Sequence, residues 1–222
     1  MQYIPGGTLE RVLDGYAKWK NRGKAPTFLE VLETLPCDDV PFNPKALRER
    51  DALNRADFVE GILLIATQLT DALEHAHRQG VLHLDIKPAN ILITVYGRAL
   101  LADFNVAMTS GKLQAGQLQG FGGTRRYMAP EQEAVFEAAD KAQAVRQIDE
   151  RTDIYSLGRV LREALQGYGP PRVQEIISTC LETDRTKRYP SAAALGDALR
   201  NALELYRIER SLPAPGVLAS FG

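Results

Sequence analysis

The sequence predicts a mainly α-helical fold carrying one small β-hairpin, and three observations support that prediction. Phe58, Ile62, Ile65, Ala66, Leu69, Ala72, Leu73 and Ala76 recur at the spacing of one face of a long helix. Further helical patterns follow at about 132–147, 153–166, 172–182 and 191–206. Between the long helix and these lie two short β-type runs, Ile91 to Val95 and Ala99 to Ala102, joined through Gly97, which suits a hairpin turn.

Taken in chain order, residues 1–7, MQYIPGG, read as a short extended piece stopped by Pro5, Gly6 and Gly7. Thr8 then suits a helix N-cap, with Leu9, Val12, Leu13, Tyr16 and Trp19 forming an apolar stripe behind it. Residues 21–57 lose periodicity, and Pro26, Pro36, Pro41 and Pro44 divide them, so an irregular insert is expected. The long helix from Phe58 finds its stop at Gly80. Residues 103–131 are rich in Gly, Gln, Thr and Ser, too polar for a core and long for a plain connection, which favours a functional loop. One domain is expected over 1–207, followed by a flexible tail at 208–222.

Composition narrows the class. The 222 residues are 45% hydrophobic and 25% charged, enough for one substantial core. Lys and Arg number 27 against 28 Asp and Glu, a balance that gives no reason to expect nucleic acid or a membrane surface as partner. Cys37 and Cys180 lie far apart without metal-ligand spacing, which fits a reducing compartment, and the expected location is cytoplasmic. No apolar run approaches the roughly 20 residues of a membrane helix, and the N-terminus lacks the pattern of a signal peptide.

The chemistry concentrates in GVLHLDIKPANILI, residues 80–93. Asp85 and Asn90 precede the first hairpin strand and Asp103 follows the second, so three oxygen-bearing side chains meet at one end of the hairpin. Hard oxygen ligands suit Mg²⁺, and Lys87 between them offers a point charge to a phosphoryl group. Taken alone, each of these residues could equally cap a turn. His75 and His77 read as surface residues, Arg125 and Arg126 as solvated loop charges or phosphate contacts, and Cys180 as core.

The order of HLDIKPAN, LADFN and GGTRRYMAPEQ resembles the catalytic loop, metal-binding loop and Ala-Pro-Glu motif of protein kinases. The resemblance covers nearly the whole chain and implies a protein-kinase-like C-lobe in which the hairpin carries both loops, with a hinge at 1–7 and an activation segment at 103–131. It implies that Asp85 orients the substrate hydroxyl, that Lys87 steadies the phosphoryl group, and that Asn90 and Asp103 hold Mg²⁺. Gln2, Ile4, Lys87 and Leu92 would contact ATP. Glu131 would pair with Arg188, Asp153 would accept hydrogen bonds from the catalytic-loop backbone or simply cap its helix, and His83 and Phe104 would stack beneath the site. Lys87 and Thr124 are similar to their serine/threonine-kinase counterparts, and PGGTL, DIKPANIL and DIYSLGRVL look bacterial, with LADFNVA of planctomycete type.

Three departures qualify these implications. The sequence holds no Gly-rich loop, strand lysine or helix glutamate, so the resemblance implies a C-lobe whose missing N-lobe, or a partner replacing it, completes the cleft. Leu84 stands where the family has Arg, which removes the usual partner of a loop phosphate, and Asn105 replaces a Gly as a residue that tolerates a left-handed backbone. A helix and loop that related kinases carry look deleted within LREALQGYGPPRVQEIISTCL, residues 161–181, and EAVFEAADKAQAVRQI, residues 133–148, looks extended. The expected partner is a protein substrate, and the alternative function is a non-catalytic, pseudokinase-like binding module.

Overall fold

The computed structural model describes residues 6–20, 26–34, 53 and 55–212. Strand β1, Gly6–Thr8, leads into α1, Leu9–Lys20, and Thr8 Oγ1 accepts from Arg11 N at 3.4 Å, in keeping with its expected capping role. Gln2 and Ile4 of the expected hinge lie outside the described residues.

The expected irregular insert contains a helix, α2, Phe28–Leu32. Thr27 and Glu30 form a reciprocal capping box, which starts a helix too short to show a period. Phe28, Leu29, Val31 and Leu32 are buried, and most of the remaining insert lies outside the described residues.

Helix α3, Phe58–Arg78, begins on the Asp57 side chain, and Gly80 follows its end at φ +69°. Its apolar stripe packs with α7, Glu150–Leu165, and α9, Ala192–Ser211, in the main core, to which α8, Pro171–Cys180, adds Val173, Ile176, Ile177 and Cys180. The start of the expected tail at 208–222 is corrected, because α9 continues through Ser211, and residues 213–222 lie outside the described residues. Arg207 and Arg210 donate to Glu60 at 2.7 Å each and Tyr206 donates to Asp57 at 2.6 Å, which fixes the end of α9 to the start of α3.

Strands β3, Ile91–Thr94, and β4, Ala99–Leu101, form the expected hairpin, and β1 adds antiparallel to β3 with Thr8 opposite Leu92. Gly97 turns it at φ +78°, where a Cβ would come within 1.9 Å of Leu53. A second pairing joins β2, Val81–Leu82, to β5, Met108–Thr109, and thereby ties the start of the polar 103–131 segment to the strand before His83. That segment also holds α4, Ser110–Gln114.

The pattern expected as one helix over 132–147 is broken. Helix α5 spans Pro130–Glu137, Ala138 turns extended, and Asp140 caps the single turn α6, Lys141–Ala144. The break lets Val135, Val145 and Ile148 join Leu82, Leu84, Met108 and Leu113 in a second, smaller apolar cluster.

Candidate active site

The polar residues converge on the turn after β2. Asp153, fully buried in the first turn of α7, accepts from Leu84 N at 2.8 Å through Oδ1 and from His83 N at 2.9 Å through Oδ2. Its Oδ2 also lies 2.9 Å from His77 Nε2. Asp149, not Asp153, caps α7, by accepting from Arg151 N. The three partners compensate a carboxylate removed from water, and they fasten a turn in which Leu84 adopts φ +63°.

That turn presents Asp85. Its Oδ1 accepts from Thr124 N at 2.7 Å, and its Oδ2 accepts from Lys87 Nζ at 2.7 Å and Asn90 Nδ2 at 3.1 Å. Lys87 Nζ reaches on to Thr124 Oγ1 at 2.8 Å, and Asn90 Nδ2 to the Asp85 carbonyl at 2.9 Å. Burial disfavours the Asp85 carboxylate, but the Lys87 and Thr124 donors outweigh it and hold its pKa below the usual carboxylate range. The group is therefore an anion at neutral pH, with its direction fixed from both sides.

Beneath it, Asp85 N donates to His83 Nδ1 at 3.3 Å and His83 Nε2 faces the Ala102 carbonyl at 3.0 Å, which assigns the ring proton to Nε2. The His83 and Phe104 rings lie 4.5 Å apart, tilted at 54°, and Phe104 remains 45% exposed.

Ala102 N donates to the Asn90 carbonyl at 2.9 Å and so brings the residue before Asp103 against Asn90. The left-handed residue is Asp103, at φ +61°, and not Asn105, which lies in the single 3₁₀ turn Phe104–Val106. With its amide nitrogen on Asp85, buried Asn90 has no partner for its side-chain oxygen among the described residues. The Asp103 carboxylate is exposed and has no partner among the described residues. These two oxygens fit a hard cation that fills its shell with water and phosphate oxygens. Among the described residues no group of three His, Cys, Asp or Glu could hold a metal by itself. Leu92 lies half-buried on β3, opposite Thr8 and Leu100.

Arg188 and Glu131 pair as expected. Arg188 is buried, and its Nη1 and Nη2 donate to the two Glu131 oxygens at 2.7 and 2.8 Å. Its other donors meet the carbonyls of Arg151, Glu182 and Thr183, and Thr152 Oγ1 donates to Glu131 at 2.8 Å. Burial of Glu131 is outweighed by Arg188 and its other donors, and its pKa falls below the ordinary value.

The sequence reading missed two residues. His77, expected at the surface, is buried against Asp153, and its signal was its place one turn after Leu73 on the apolar face of α3. Gln132 is buried and its Nε2 donates to the carbonyls of Leu84 at 2.8 Å and Gly122 at 2.6 Å. Gly123 makes that approach possible: at φ +135° a Cβ would stand 2.6 Å from the Leu84 oxygen.

The chain matches the protein kinase domain family over residues 31–183, more than half of its length. It is 35% identical over 140 residues to the serine/threonine-protein kinase PknH of Mycobacterium bovis, a match covering 63% of this chain and 22% of the relative. A probable serine/threonine-protein kinase of Clostridium perfringens is 27% identical over 206 residues, covering 87% of this chain and 29% of the relative. The probable serine/threonine-protein kinase PknB of Bifidobacterium longum is 37% identical over 129 residues, covering 57% and 17% of the two chains. The chain thus spans less than a third of the length of these relatives.

Proposed function

The chain belongs to the protein kinase domain family, and from that premise we propose that it is the C-lobe part of a bacterial serine/threonine kinase, transferring the γ-phosphoryl group of ATP to a protein hydroxyl. The observation that carries this reading is the Asp85 carboxylate, held at 2.7 Å by both Thr124 N and Lys87 Nζ. In that setting Asp85 accepts a hydrogen bond from the substrate hydroxyl and aims its oxygen at the phosphorus, while Lys87 lies where charge accumulates on the transferred group. The new bond joins that oxygen to phosphorus, the bridging bond to ADP breaks, and the hydroxyl proton leaves by way of Asp85.

Asn90 and Asp103 are the residues proposed to hold Mg²⁺, which when bound neutralises charge on the ATP phosphates. The proposed role of Leu92 is contact with the nucleotide from below. The reading assigns these 222 residues the lower half of the cleft, and it expects a Gly-rich loop and a strand lysine, neither of which occurs in the sequence, from an N-lobe.

With an N-lobe supplied, phosphate transfer from labelled ATP to a serine-containing protein in the presence of Mg²⁺ should fall by about 10³-fold in Asp85→Asn. Transfer that survives this substitution, or no transfer by the restored protein, refutes the reading.

A further inference from the structure

A groove of about 400 Å³ opens between the turn Arg125–Tyr127 and the second half of α7, lined by Arg126, Tyr127, Arg159, Arg162, Glu163 and Gln166. Three arginines there face one carboxylate. Glu163 is already committed, since its Oε2 accepts from Tyr127 OH at 2.8 Å and Arg126 Nη2 at 3.2 Å. Arg159 and Arg162 have no ion pair or side-chain hydrogen bond among the described residues.

Their placement follows from the helix. Leu157, Val160, Leu161 and Ala164 turn into the core, so Arg159, Arg162 and Glu163, three and four residues apart, share the opposite flank. That flank stays uncovered because α7 ends at Gln166, at φ +48°, and a short connection leads directly into α8 at Pro171. Two cations left uncompensated in a concave surface concentrate positive potential there. Their planar guanidinium groups suit a carboxylate, which can accept two parallel hydrogen bonds from either.

The groove also lies beside the proposed transfer site. Thr124 N donates to Asp85, and Arg126 comes two residues later, a span of at most about 7 Å along the backbone.

We infer that this groove is a substrate subsite for an acidic side chain, an Asp or Glu that flanks the phosphorylated Ser or Thr in an extended substrate segment. The inference rests on the kinase reading for its place in the reaction, but the subsite is a matter of binding and can be tested without transfer.

The test uses the 222-residue chain without nucleotide and fluorescein-labelled, Ser-centred peptides that carry Glu or Gln at the flanking positions, read by fluorescence anisotropy at low salt. The Glu peptides should bind about tenfold more tightly than the Gln peptides, an advantage that fades as ionic strength rises. Arg159→Gln with Arg162→Gln should abolish the advantage, and Arg159→Lys with Arg162→Lys should restore part of it; circular dichroism checks the fold of each variant. Equal binding of Glu and Gln peptides, or a preference unchanged in the double Gln variant, overturns the inference. Peptides bearing phosphoserine in place of Glu separate the two anions, and a preference for phosphoserine with none for Glu overturns the acidic assignment. A Glu preference that persists in Asp85→Asn supports the subsite even if phosphate transfer is never observed, so the two readings fail separately.

Discussion

Leu84 is the most informative place to perturb the fold. Its side chain is 1% exposed within the second apolar cluster, while its backbone sits at φ +63°. Truncation to Ala removes the packed side chain and should cost about 2–5 kcal/mol. Ala keeps a Cβ, however, and so keeps the left-handed penalty of roughly 1–2 kcal/mol, which Gly would release. Against that gain stand about 0.8 kcal/mol for the buried methyl and about 0.4–1 kcal/mol for the freer unfolded chain. These opposing effects nearly cancel, so Leu84→Gly should be about as stable as Leu84→Ala. Leu82 supplies the internal reference, being 1% exposed in the same cluster but on β2, without a positive φ. There the Gly variant should fall below the Ala variant by more than 1 kcal/mol, roughly the sum of the methyl and chain-entropy costs. Urea unfolding of the four variants gives both gaps. A Gly–Ala gap at Leu84 as large as that at Leu82 would refute the argument that the turn holds a strained backbone.

Two further outcomes follow from the buried charges. Arg188→Ala leaves Glu131 buried without its bidentate partner and should cost about 3–5 kcal/mol in urea unfolding, and Arg188→Lys should recover only part of this because an ammonium cannot match the five donors; a lysine variant as stable as the parent would show that the fork geometry is immaterial. Burial opposes a charge on His77, but its bond to Asp153 and the charges of Asp153, Glu150 and Glu74 outweigh it and raise the pKa above the ordinary imidazole value. Its contribution is therefore full below about pH 6.5 and lost as pH rises through the higher folded value. The urea midpoint should fall over that window, and the fall should be smaller in His77→Gln; identical pH profiles for the two proteins would exclude this assignment.

What the sequence disclosed depended on how far apart the cooperating residues lie. Helices α3, α7 and α9 were legible because each repeats an apolar face over several turns, and the hairpin because Gly97 marks its turn. The helix α2 is only five residues long, so Thr27 and Glu30 were its one local signal and the surrounding prolines obscured it. In the site, Asp85, Lys87 and Asn90 fall within one short motif. The partner of His77 is 76 positions away and could not be found from local pattern. Leu84 was legible as a missing cation but not as an apolar anchor, since Met108, Leu113, Val135, Val145 and Ile148 reach it only after the 103–131 segment has folded back. The end of α9 was misread because its polar residues, Arg207 and Arg210, find their carboxylates on α3 and not on their own helix.

That last contact bears on how the protein is made. Glu60 is buried in the first turn of α3, yet its two cationic partners lie 147 and 150 residues downstream. During synthesis, α3 leaves the ribosome well before α9 exists, so its acidic start must remain hydrated and its apolar face incompletely covered until α9 has been translated. At 5–20 residues per second that interval is on the order of 10 s. Over this time the nascent chain exposes the stripe from Phe58 to Leu73, and its protection falls to whatever shields exposed apolar surface in the cell. Among the described residues, the ion pairs at Glu60 are among the last contacts to become available, because they wait for α9.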